Sequence, residues 1–216
     1  SAPSGDSIKV ETGAGDFANS SGPTALTVAG TGRWLVYSTD PSDDTSGGLV
    51  HAFRQFGSAP GDAILGSGNG FIHSLNKDIV VTLNPIGVSK VYDGTTSAPL
   101  TAANYTVSAL PGVDNLTVNL PTTGTFDNRN VGTNKTVSVS GIGLASAIDS
   151  EEMVPIYGIT VTPATLSGAI GTITPASITV STSDVSRPFD GTTSASGVPV
   201  AVVGSLFGTD TLSGGS

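Results

Sequence analysis

The nine residues Lys90-Val91-Tyr92-Asp93-Gly94-Thr95-Thr96-Ser97-Ala98 constrain the chain most, because they return as Arg187-Pro188-Phe189-Asp190-Gly191-Thr192-Thr193-Ser194-Ala195. In both copies a basic residue leads, an aromatic stands third and Asp-Gly-Thr-Thr-Ser-Ala follows. The two Asp residues, 93 and 190, are 97 positions apart. A match this long does not arise by chance in a chain of 216 residues. The protein is therefore modular, and one module is about as long as that offset.

The motif has the chemistry of a strand running into a tight turn. Asp bonds its own backbone two residues on, and Gly takes a positive φ without steric cost. The aromatic before the turn anchors the strand end, and Thr-Thr favours extended backbone after it. Tyr92, Asp93 and Gly94, with Phe189, Asp190 and Gly191, are thus structural turn residues. A catalytic Asp93 would need a second titratable group recurring beside it as base or acid, and none does.

Composition sets the fold class. Charged residues are only 12% of the chain, while 29 glycines stand among abundant Thr, Ser and Val. That mixture suits many short strands joined by small-residue turns. An apolar content of 37% is too high for a solvated tail, despite a net charge of −9. With 17 acidic against 8 basic residues, nucleic acid and anionic lipid surfaces are poor partners. No apolar run approaches the roughly 20 residues of a spanning helix, so no membrane insertion is expected. The chain has no cysteine, which removes disulfides and thiolate metal sites.

Three segments follow along the chain. Residues 1–77 are Gly-rich, with short strands expected at Ile8–Val10, Leu26–Val28 and Trp34–Tyr37. Trp34 is a core residue on this reading, and a sugar-stacking platform on the alternative one. Asp40, Asp43 and Asp44 lie within five positions and are a candidate calcium site, against which stands a solvated turn cornered by Pro41. Leu49–Phe56 is expected to be a strand or a short helix, and Gly57–Gly70 a loop. His51 and His73 are the only histidines, 22 residues apart with no carboxylate motif beside them, so a metal or catalytic pair is not expected.

Residues 78–176 form the first module. Strands are expected at Ile79–Leu83, Val88–Tyr92, Tyr105–Leu110, Leu116–Leu120 and Thr136–Ser140, with Val137 and Val139 inward. Pro111-Gly112 and the polar run Phe126–Gly132 are turns. Ile142–Met153 is the one helical candidate; its carboxylates Asp149, Glu151 and Glu152 read as a solvated loop and not as an acid–base pair. Pro175-Ala176 ends the module, since Pro cannot donate to a ladder. Residues 177–216 restart the pattern and stop within a second copy, so the chain reads as a piece of something longer. No nucleophile elbow, phosphate loop, zinc-protease helix or dinucleotide fingerprint occurs.

At Lys90–Ala98 and Arg187–Ala195 the chain resembles the Tyr-Asp-Gly (YDG) repeat of large bacterial surface exoproteins. Gly124–Val137 resembles that family's middle stretch and Gly171–Ala176 its closing strand. Gly32–Ser38 is similar to the stretch that often precedes such repeats in filamentous-haemagglutinin-like adhesins, which are exported by two-partner secretion. The second copy departs from the motif in carrying Phe189 for Tyr. The resemblance implies an all-β protein of tandem β-rich modules, sandwich-like or β-grasp-like, with residues 1–77 as the end of a β-helix. It implies an extracellular or cell-surface adhesin segment, active in attachment or biofilm matrix, with no enzyme activity and no cofactor beyond the calcium candidate. Its partner would be a host or matrix glycan or protein, and it would self-associate where an unpaired strand edge accepts another chain.

Three functions compete on this basis: a stalk, a glycan-binding module using Trp34 with Asp43 and Asp44, and a polysaccharide-acting enzyme. The third lacks converging carboxylates. Two modifications are also expected to be testable. Asn19, Asn104, Asn115 and Asn134 begin N-glycosylation acceptor patterns. A Lys–Asn isopeptide staple would need a buried Lys beside Asn and a carboxylate, with Lys90 and Lys135 as candidates.

Overall fold

The computed structural model describes residues 5–109, 115–149, 152–182, 184, 186–194, 199–203 and 206–212. The protein is all-β. In chain order the strands are β1 (Asp6–Glu11), β2 (Arg33–Ser38), β3 (Phe53–Gln55), β4 (Gly70–His73), β5 (Lys77–Leu83), β6 (Val88–Val91), β7 (Ser97–Pro99), β8 (Tyr105–Val107) and β9 (Asn115–Asn119). They continue as β10 (Thr123–Phe126), β11 (Gly132–Ser140), β12 (Gly143–Ile148), β13 (Ile156–Tyr157), β14 (Ile159–Thr162), β15 (Thr165–Thr174), β16 (Thr179–Thr182) and β17 (Pro199–Val203). One 3-10 turn spans Ala102–Asn104. The chain forms two compact units: Ser1–Asn84 with Tyr105–Pro121 and Ser140–Leu166, and Pro85–Asn104 with Thr122–Val139 and Ser167–Ser216.

The first unit is built on a five-stranded sheet ordered β1-β2-β4-β3-β13, in which every pairing is parallel. Stacked β-helix coils share that parallel pairing; here β4 lies between β2 and β3. Its central strands carry the unbroken apolar runs Trp34–Tyr37 and Phe71–Ile72, as strands covered on both faces do. Alternation then divides the core in two. One face packs Trp34, Val36, Leu49 and Phe71, with Ile8, Val10, Phe17, Leu26 and Val28 against them. The other packs Leu35, Tyr37, Phe53 and Ile72, with Ile64 and Tyr157. The coverings of the sheet are therefore largely loops, and Leu26–Val28 belongs to one of them instead of forming the expected strand.

Glycines make that loop packing feasible. A Cβ on Gly66 would lie 2.1 Å from Phe53 Cγ, and one on Gly70 would lie 2.2 Å from Phe53 Cζ. The Phe53 ring is thus clamped by bare backbone, which explains part of the glycine density at 57–70. The same unit holds a three-stranded sheet, β14-β5-β8, and the antiparallel pair β9–β12. Ile79 and Val81 point inward from β5 and are fully buried.

The helix expected at Ile142–Met153 is not there. Residues 143–148 form β12, with Ala147 opposite Leu116 and Leu144 opposite Val118. Cross-strand pairing to β9 satisfies these amides in a way that local spacing did not reveal. Pro111-Gly112, Glu151 and Ala195 lie outside the described residues.

The second unit centres on the sheet β6-β15-β11-β10-β7. Strand β6 runs parallel to β15, while β10 runs antiparallel to both β11 and β7. Val88, Ala98, Leu100, Phe126, Val137, Val139 and Ile173 form its buried apolar set, so Val137 and Val139 point inward as alternation predicts. β16 and β17 pair antiparallel. The first motif turn joins β6 to β7.

Candidate functional site

The N-terminal unit holds the polar groups that come closest to a reactive constellation. Parallel register sets Ser38 of β2 opposite His73 of β4. Ser38 Oγ lies 3.0 Å from His73 Nδ1 and donates to Asp44 Oδ2 at 2.5 Å. His73 Nδ1 is 3.7 Å from the same carboxylate oxygen. The serine therefore bridges acid and imidazole, whereas a nucleophile relay needs the imidazole in the middle. With the hydroxyl proton spent on Asp44, Nδ1 carries the ring proton and bonds Ser38. His73 Nε2 is buried with no hydrogen-bond partner. Burial, assisted by the Arg54 charge, lowers the His73 pKa to about 3. The adjoining cavity, lined by Pro41, Asp44, Ser46, Arg54, Phe71 and His73, has a volume of about 50 Å³. That admits water but no substrate.

A second cluster ties the β3 region to the segment after β12. Arg54 donates to Glu152 Oε2 from Nε at 3.1 Å and Nη2 at 2.6 Å, with Asp149 Oδ2 at 3.6 Å. His51 Nε2 lies 2.9 Å from Glu152 Oε2 but off hydrogen-bond geometry. Burial lowers the His51 pKa, although the Glu152 charge opposes it. Carboxylates thus reach both histidines from distant sequence. No local spacing predicts this; the β2–β4 register and the return of the chain to β3 through β13 bring them together.

Two sequence candidates are corrected here. Trp34 is only 2% exposed and meets Phe71 edge-on at 5.3 Å, so its ring offers no platform to a sugar. The calcium candidates do not converge: Asp40 accepts from Ser42 N, and Asp44 accepts from Phe17 N and Ser38 Oγ. Among the described residues no three His, Cys, Asp or Glu side chains form a metal-holding group, Asp43 included. Of the glycosylation patterns, Asn19 and Asn104 are buried and hydrogen-bonded, while Asn115 and Asn134 are exposed.

The first motif turn is held by one carboxylate. Asp93 Oδ1 accepts from Lys90 Nζ at 2.7 Å, Thr95 N at 2.9 Å and Thr95 Oγ1 at 2.8 Å. Lys90 Nζ also reaches Thr95 O at 2.9 Å and lies over the Phe126 ring. The lysine bond and the Thr95 amide hold the Asp93 pKa down at about 2. Gly94 completes the turn at φ +75°. Tyr92, before it, donates its hydroxyl to Asp210 Oδ2 at 2.7 Å, which raises the phenol pKa. Lys90, Asp93 and Thr95 thus form one closed network, with Gly94 at its corner, while Tyr92 bonds outward to Asp210.

Residues 77–151 match the YDG domain. No curated protein and no solved structure gives a significant match to the chain. The YDG match starts with β5 and covers the first motif turn, so the resemblance read from Lys90–Ala98 holds for that stretch.

Within the YDG domain, Lys135 is buried, and its Nζ bonds Asn128 Oδ1 at 2.6 Å and Asp127 Oδ1 at 2.9 Å. The three groups of the isopeptide candidate are therefore assembled. The lysine bond lowers the Asp127 pKa, and the three side chains meet as one hydrogen-bonded group. Lys90, the other candidate, serves the turn.

The second motif turn lies beyond the matched range, yet repeats the network. Asp190 Oδ1 accepts from Thr192 N and Thr192 Oγ1, each at 2.9 Å. Arg187 pairs with the same oxygen and donates to Thr192 O. The arginine bond lowers the Asp190 pKa, and Gly191 sits at φ +80°. The aromatic differs in its surroundings, since Phe189 is 95% exposed.

Proposed function

We propose that the chain is a structural, adhesive segment of a large secreted bacterial surface protein, acting as a spacer between a cell and what it attaches to. The observation that carries this reading is the turn built twice on one plan. In each copy one carboxylate oxygen is held by the basic residue three positions before it and by the Thr two positions after it, so the repeated residues maintain the shape of the turn. The YDG domain at 77–151 and the all-β architecture support the same reading. It places the protein outside the cell, consistent with adhesins of the two-partner-secretion type, and assigns it no catalysis. Glycan binding through Trp34 is not part of it. Strand addition at β1 or β13, which end the five-stranded sheet, is the route by which copies would join into a filament.

Stretching a multi-module chain between handles tests the spacer role, together with small-angle scattering in solution. The expected result is an extended particle that resists force. A compact globule that softens at low force would remove the reading.

A further inference from the structure

The two motif turns share an internal network but differ in what lies on them. Over the first turn runs the segment Leu206–Asp210. Phe207 meets Tyr92 edge-on, with ring centroids 5.8 Å apart. Its Cβ lies 2.6 Å from where a Cβ on Gly94 would stand, so only glycine permits the approach. Asp210 accepts the Tyr92 hydroxyl at 2.7 Å and lies 3.6 Å from Arg129 Nη2, which also donates to Thr209 Oγ1 at 3.3 Å. Beside this contact Tyr92, Val131, Pro175, Ile178, Leu206 and Phe207 line a cavity of about 230 Å³. On the second turn Gly191 has a similar positive φ, yet among the described residues nothing lies within 4 Å of its Cβ position, and Phe189 is exposed.

The covering segment is itself part of the repeat. Leu206-Phe207-Gly208-Thr209-Asp210 has the pattern Leu-Xaa-Gly-Xaa-Asp, and so does Leu110-Pro111-Gly112-Val113-Asp114, which lies 96 positions earlier in sequence. The turns recur at 97. Each module therefore carries one turn and one such segment, and the segment after the second turn covers the first.

We infer that the second turn is a docking site for the Leu-Xaa-Gly-Xaa-Asp segment of a further module of the same kind, so that each module covers the turn before it. Phe189 and Gly191 form the seat, and an apolar side chain at the segment's second position is the anchor. Because Phe189 has no hydroxyl, this seat lacks the bond that Tyr92 makes to Asp210, and its contact is apolar. The inference rests on the repeat and not on the adhesive role; a module chain with no attachment function would show it equally.

Titration of the 15N-labelled full chain with a peptide of the sequence Leu206–Leu212 tests this by NMR. Saturable shifts are expected at Gly191–Ser194, and they should disappear in Phe189→Ala. Phe189→Tyr restores the hydroxyl and should tighten binding about tenfold, the worth of one hydrogen bond to a charged acceptor. That gain should vanish with a peptide carrying Asn in place of its Asp. Absence of shifts at the second turn in both the native and Phe189→Tyr chains overturns the inference. So does a response confined to Gly94, where the peptide would merely exchange with the chain's own segment. Shifts at Gly191 that appear on concentrating the chain alone would give the face to a second copy, and would overturn the succession of modules.

Discussion

Burial keeps the His73 imidazole neutral to about pH 3, while the same group in an unfolded chain takes a proton near 6.5. Below pH 6.5 the unfolded state therefore binds a proton that the folded state refuses. The stability this neutral residue contributes is complete above 6.5 and is lost as pH falls towards 3, at about 1.4 kcal/mol per unit across that window. Urea unfolding at pH 7, 5.5 and 4.5 should show this loss in the native chain and a shallower one in His73→Asn. Parallel slopes would mean that the ring is hydrated. Asp93 titrates lower, with its pKa held near 2, so its turn keeps its carboxylate charge throughout this range. His73 was visible in the sequence as one of two histidines. Its partners were hidden, because Ser38 meets it only through a parallel register and Asp44 only through the turn that returns to Ser38.

Strands with a local signature were legible and strands defined by their partners were less so. Trp34–Tyr37 announces β2 by an unbroken apolar run, and Thr136–Ser140 announces part of β11 by alternation. Ile142–Met153 misled because small residues such as Ala145 and Ala147 suit a helix as well as a strand, and the deciding bonds come from β9. The Gly57–Gly70 stretch looked like a plain loop, yet Gly66 and Gly70 are the walls around Phe53. Gly66→Ala should cost about 1–3 kcal/mol, as overpacking of a closed core does. Phe53→Leu alone should also destabilise. If the clash is the cause, the double variant Gly66→Ala with Phe53→Leu should be more stable than the sum of the two losses implies. Strict additivity in urea unfolding would place the cost of the methyl elsewhere.

Across the whole molecule, Asp-Gly-Thr closes twice in the same hydrogen-bonded turn, at residues 93–95 and 190–192, while its flanking strands and what covers it differ. Sequence disclosed the duplication and the turn chemistry, because both are local. It did not disclose the covering segment, whose contact joins residues 92 and 210. The two glycines separate these contributions. Gly94 and Gly191 both sit at positive φ, so alanine at either strains the backbone by about 1 kcal/mol. At Gly94 the added methyl also meets Phe207, whereas at Gly191 it meets none of the described residues. Chymotrypsin cleavage after Phe207 should therefore quicken several-fold in Gly94→Ala and stay at the native rate in Gly191→Ala. Equal rates in the two variants would show that the segment is not seated on the first turn. The docking assigned to the second turn would then lose its template, because the one contact from which it is drawn would be absent in solution.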